Sequence, residues 1–120
     1  MMKNIENIGI VAYIASPVNT YIRNAKTYDD YVFGLENARS HATAVAIKAK
    51  EMGYIPVSAP MTFLSVYDER TEREIALEAC FSILKKCDVF FYDTRDLHKS
   101  EGMRKELEFA QKNGLTIVAI

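Results

Sequence analysis

Ile8-Gly9-Ile10-Val11-Ala12-Tyr13-Ile14-Ala15 decides the class of this chain. The run carries no charge, is rich in β-branched residues, and is apolar at odd and even positions alike. A strand with one wet face alternates polar and apolar residues; a strand covered on both faces has no reason to. The run therefore predicts a strand buried on both sides, as in a parallel sheet. Ser16-Pro17 stops it.

Outward from that run, three more short apolar stretches follow: Tyr54 to Ser58 (YIPVS), Asp88 to Tyr92 (DVFFY) and Leu115 to Ile120 (LTIVAI). Between them the period changes from strand to helix. Ala38, Ala42, Val45, Ala49 and Met52 recur every three or four residues and predict a helix over 35–52, capped by Gly53. Ile75, Ala79, Ile83 and Leu84 predict the inward face of a second helix over 69–86. Ser100 is placed to cap a third, which runs to Asn113 and ends at Gly114. The stretches 18–34, 61–67 and 94–99 lack a clean period and read as loops, the first with room for a short helix after Asp29-Asp30. Strands alternating with helices imply right-handed crossovers and a doubly wound α/β sandwich. Ligands of such sheets bind beyond the carboxyl ends of the strands, at the topological switch point. The loops after Ala15, Ser58 and Tyr92 should meet there.

A chain of 120 residues predicts one domain, 1–120. A formal net charge of -1 argues against coating nucleic acid or anchoring to an acidic membrane surface. No apolar run approaches the roughly 20 residues of a membrane span. Met1-Met2-Lys3-Asn4 leads into a strand without a signal-peptide core, so a cytoplasmic location is expected. Cys80 and Cys87 stand seven apart on one predicted helix and its end, about 10 Å by helix rise and too far for a disulfide. No His/Cys cluster accompanies them, so reduced buried thiols and no metal are expected.

Neither G-x-G-x-x-G after the first strand nor G-x-x-x-x-G-K-[ST] occurs, which leaves a dinucleotide or triphosphate site unsupported. Small residues around Ser16 let a ligand approach the backbone. Ser100 and Gly102 open a helix, where free N–H groups and the positive dipole end favour an anion. Glu106 follows about a turn and a half later. A carboxylate beside a phosphate cradle can attack C1′ of a nucleotide, which lies a few Å from its phosphate. An acidic residue early in a helix also has a purely electrostatic reason to be there, and spacing alone leaves both open. Asn19 can reach the pocket rim. His98 either touches a phosphate or is a solvated loop residue, and His41 reads as structural. Asp93 and Asp96 either contact a ribose or base or are solvated. Tyr21, Tyr28, Tyr31 and Phe33 either close over a base or pack.

The chain resembles the nucleoside 2-deoxyribosyltransferase superfamily, in its short, mostly uncharacterised branch. The matching residues are Tyr13-Ile14-Ala15-Ser16-Pro17, Asn37-x-x-x-x-Ala42, Gly53-Tyr54-Ile55-Pro56, Glu72-Arg73-Glu74 and Leu84-Lys85-Lys86-Cys87-Asp88. Ser100-x-Gly102-Met103-x-x-Glu106-Leu107-x-x-Ala110 and Gly114 complete the set. The resemblance implies a flavodoxin-like fold, with Glu106 as the nucleophile and Tyr13 as the tyrosine that orients it. It implies that Ser100 binds phosphate, as in the branch that hydrolyses deoxynucleoside 5′-monophosphates; Ser16, Gly102 and Met103 of the matching motifs are expected to contact the ligand with it, and Asn19 is expected from the pocket rim. The chain departs from the family pattern at Cys80, where characterised members place an aspartate that assists base departure. It departs again at Arg104 in place of glycine, which should narrow the pocket or add a phosphate contact. The implied activity is cleavage of an N-glycosidic bond in a nucleoside or nucleotide, without cofactor, in a homodimer or higher homo-oligomer. The alternative is a non-catalytic nucleotide-binding protein on the same fold.

Overall fold

Four strands form one sheet: β1 (Val11–Ile14), β2 (Ile55–Ser58), β3 (Val89–Tyr92) and β4 (Thr116–Ala119). They belong to a computed structural model that describes residues 9–120, so Ile8 and the Met1–Asn4 segment lie outside the described residues. The sheet order is β2-β1-β3-β4, and every pairing is parallel. Tyr13 sits opposite Val57 on one side and Phe90 on the other. This is the doubly wound, flavodoxin-like arrangement, and the chain reverses its direction of winding between β1 and β3.

The central strands bury both faces, as the opening run requires. Ala12, Ile14, Val89 and Phe91 face one helical layer, where Val45, Ala46 and Ala49 meet them. Tyr13, Ala15, Phe90 and Tyr92 face the other, against Leu84, Met103 and Ala110. The first layer is α2 (Tyr28–Glu51); the second is α4 (Arg73–Leu84) and α5 (Glu101–Lys112). Two short helices complete the fold, α1 (Asn19–Ile22) and α3 (Ala59–Phe63). No described helix is long and apolar enough to cross a membrane.

Several boundaries differ from the sequence expectation. The stretch 18–34 is largely helical rather than a loop. Thr27 caps α2 by accepting the Asp30 N–H, and Asp29 and Asp30 answer the positive end of the dipole. Gly34 does not break that helix, because α1 lies on it: a Cβ there would overlap the Tyr21 carbonyl oxygen and stand 2.9 Å from Ile22 Cγ2. Ile22, Tyr31, Leu35, Ala38 and Leu64 form a small second core under this crossing. Ser58 accepts the Met61 N–H and starts α3, which runs into the stretch 61–67 expected to be irregular. The helix expected over 69–86 is shorter, because residues before Arg73 are held in a strap. In it Leu84 is buried and Ile83 packs against the core as expected, while Ala76 is buried in place of Ile75, which is 55% exposed. Residues Thr94–Lys99 wind into a 3₁₀ turn, with Asp93 accepting the Arg95 N–H.

Candidate active site

Tyr13 points from the middle of the sheet toward α5, and Glu106 points back from the second turn of α5. The Tyr13 hydroxyl donates to Glu106 Oε2, joining residues 93 apart in sequence. Both side chains are buried, Glu106 at 7% exposure. Burial withholds water from the carboxylate and pushes the Glu106 carboxyl up to about 7, although the Tyr13 hydrogen bond pulls the other way. Burial, with the Glu106 charge behind it, raises the Tyr13 hydroxyl well above its usual range, so it remains a proton donor.

The pair forms the floor of a cleft with about 680 Å³ of empty space, mouth and adjoining solvent included. It lies at the carboxyl end of β1, beside the switch point. Ser16 and Asn19 line it from the chain after β1, and Ser100, Gly102 and Met103 from the start of α5. All seven residues singled out from the sequence share this cleft. Ser100 caps α5 by accepting the Met103 N–H at 3.1 Å, and its hydroxyl proton is still available to a ligand. Ser16 Oγ is buried without a hydrogen-bond partner among the described residues. A buried hydroxyl left unsatisfied costs about 1–3 kcal/mol, a cost a polar ligand atom in the cleft removes.

Cys80 also lines the cleft, where burial and then the charge of Glu106 push its thiol up to about 12. It is a neutral wall, and no acid at physiological pH. Arg104 neither narrows the cleft nor faces it, because its guanidinium donates to the carbonyls of Leu97 and His98 at 3.0 Å and ties the 3₁₀ turn to α5. His98 is exposed and outside the cleft. Asp93 and Asp96 are buried rather than solvated. Asp93 accepts from Arg95, which holds its carboxyl well below the usual range. Asp96 bonds His41 Nε2 at 2.7 Å, and His41 Nδ1 meets the Tyr21 hydroxyl at 2.5 Å. This relay ties α1, α2 and the 3₁₀ turn together, which makes His41 structural. None of Tyr21, Tyr28, Tyr31 and Phe33 lines the cleft: Tyr31 is buried, and Tyr28 and Phe33 are exposed.

Two charged cleft residues were not among those seven. Glu69 and Arg73 enter from the strap before α4 and its first turn. The strap is fixed from below: Tyr31 Oη accepts the Glu69 N–H at 3.0 Å, and Arg70 lies 4.4 Å from the Tyr31 ring centre. Asp68 grips the Arg70 guanidinium at 2.8 and 3.0 Å, and Glu72 accepts the Asp68 N–H. The Asp68-x-Arg70 spacing with Glu72 is a local signal for such a strap. Its docking on Tyr31 is tertiary.

No curated protein matches the chain. Among solved structures, "2-desoxiribosyltransferase from Leishmania mexicana" is similar, with a TM-score of 0.54 and 18% sequence identity. The match covers 92% of this chain and 63% of that one, so this chain spans less than two-thirds of that protein's length. A likeness at that identity shows a shared fold, here the four-strand parallel sandwich. A family match extends from Ile10 through Ile120, β1 to β4, and by it the chain belongs to the family described as "Domain of unknown function (DUF7768)".

Proposed function

We propose that this chain cleaves the N-glycosidic bond of a nucleoside or nucleotide, as a hydrolase or deoxyribosyltransferase, through a glycosyl ester on Glu106. One observation carries this reading. A buried carboxylate that accepts a tyrosine hydrogen bond at the floor of an open cleft is held as a nucleophile needs to be. Tyr13 fixes one carboxylate oxygen and leaves the other for C1′. A 5′-phosphate suits the part of the cleft where Ser100, Gly102 and the start of α5 offer donors and Ser16 Oγ lacks a partner. Arg73 adds a positive charge to the same wall.

The test is a panel of deoxynucleosides and their 5′-monophosphates, with free base followed by chromatography. The wild type releases base, with monophosphates preferred about ten- to a hundredfold, the worth of a charge-assisted contact. Glu106→Gln keeps shape and packing but removes the nucleophile, so release falls by about 10³-fold or more while ligand affinity holds. Release that survives Glu106→Gln undiminished rules out this residue as nucleophile.

A second reading, a nucleotide-binding protein without catalysis, is favoured by the neutral Cys80 thiol where characterised deoxyribosyltransferases carry an acid. On that reading the wild type binds monophosphates and releases no base.

A further inference from the structure

A carboxylate nucleophile is only half of a glycosidic cleavage. As Glu106 attacks C1′, the C1′–N bond breaks and its electron pair stays on the base, which is a poor leaving group unless a proton arrives. Tyr13 cannot supply it, being committed to Glu106 and raised by burial. Cys80 holds its proton too tightly. Ser16 and Ser100 are weak acids at neutral pH. One further ionisable group in the cleft remains once the Arg73 cation is set aside: Glu69.

We propose that Glu69 is the acid–base residue of this site, protonating the departing base and then activating water. The assignment rests on the glycosidase reading of Glu106. In the first step the Glu69 carboxyl proton passes to a ring nitrogen of the base as the Glu106 oxygen bonds to C1′. The products are the glycosyl ester, the neutral base and the Glu69 carboxylate. In the second step that carboxylate takes a proton from water as the water oxygen attacks C1′. The ester bond breaks, Glu106 recovers its charge, and free sugar leaves.

Three observations place Glu69 for this work. It lines the same cleft as Glu106 and Cys80. Its carboxylate makes no hydrogen bond or ion pair with any described residue, while its backbone N–H is pinned to Tyr31. The side chain is therefore held at the root and free at the tip, as proton transfer needs. The orphaned Ser16 Oγ in the same cleft independently marks a space meant for a polar ligand. Glu69 is half-buried, and burial already raises its carboxyl, with Asp68 adding to the rise and Arg73 opposing it. A base seated against it removes more water and raises it further. The two carboxyls sit in unlike settings, one buried against a tyrosine and one half-exposed.

The experiment compares two leaving groups. Deoxyguanosine 5′-monophosphate needs a proton to lose its base. Its N7-methyl derivative carries a positive charge on the base and loses it without one. In Glu69→Gln, kcat/KM for the unmethylated substrate falls about 10²–10⁴-fold, the usual worth of general acid catalysis, whereas burst release from the methylated substrate stays within about threefold of wild type. The methylated substrate also reports that the variant is folded. Equal losses on both substrates, or none on either, with an active wild type, overturn the assignment of Glu69 alone. A wild type that releases no base from either substrate overturns the glycosidase reading and Glu69 with it.

Discussion

Glu106 carries a conflict between stability and chemistry. Its carboxyl rests at about 7 in the folded chain against an ordinary 4.5, chiefly because burial disfavours the charge. A folded-state value raised above the unfolded one means that the folded chain holds the proton more tightly. The associated stability is fully present below about 4.5 and is lost as pH rises through about 7. Ionised Glu106 therefore costs stability on the order of 3 kcal/mol at high pH. Glu106→Gln removes the ionisation while keeping an acceptor for the Tyr13 hydroxyl. Melting temperatures of the two forms should lie close together at pH 4.5, with the variant melting several degrees higher at pH 8.5. A gap that does not widen with pH would mean that the carboxylate is better solvated than its burial implies. Activity has the opposite demand, because only the carboxylate attacks.

At the scale of elements, the crossing of α1 over α2 depends on Gly34. Glycine in the middle of a helix costs about 1 kcal/mol relative to alanine, so Gly34→Ala would stabilise α2 in isolation. In this chain the added methyl meets the Tyr21 backbone, and backbone cannot swing aside as a flexible side chain can. Overpacking of this kind costs about 1–3 kcal/mol, so the clash wins. Gly34→Ala should lower the denaturant midpoint and weaken ligand binding, since α1 also carries Asn19 to the cleft. A midpoint that rises would show that α1 contributes little to the fold. The α1–α2 region is also where the sequence was least legible. The strands declared themselves because runs such as Val89–Tyr92 are apolar throughout, and the start of α5 did so through the Ser100 cap. The start of α2 was hidden because the apolar residues of its first two turns, Tyr28, Tyr31, Val32, Phe33 and Leu35, include three in an unbroken run and show no clean helical period, and Gly34 reads as a breaker. The Thr27-x-x-Asp30 pair was the available signal. Tyr13 and Glu106 were legible as a pair only through the family motif, since no periodicity links strand to helix across 93 residues. Glu69 was not legible at all: its place in the cleft depends on a strap that docks on another helix.

The molecule as a whole leaves large apolar side chains in water. Phe33 is 67% exposed, Val66 68% and Tyr28 66%, while Ile55 lies exposed on the edge strand β2. Edge strands and exposed aromatics are what a neighbouring subunit covers. We expect a homodimer or higher even-numbered oligomer at micromolar concentration. Light scattering that gives the 13.6 kDa of one chain would exclude it.

The two-sided burial of β1 has an evolutionary consequence. Odd positions 11, 13 and 15 serve the layer that holds the cleft, and even positions 10, 12 and 14 serve the layer of α2. The strand is thus a parity code, and Tyr13 belongs to one parity only. Inserting or deleting a single residue before it would leave a run just as greasy and just as willing to pair, yet would turn the tyrosine to the opposite side of the sheet. Such a lineage would keep a foldable protein and lose its hydroxyl from Glu106 in one step. A volume-conserving substitution away from Tyr13 leaves this parity intact, whereas a change of length keeps it only by twos.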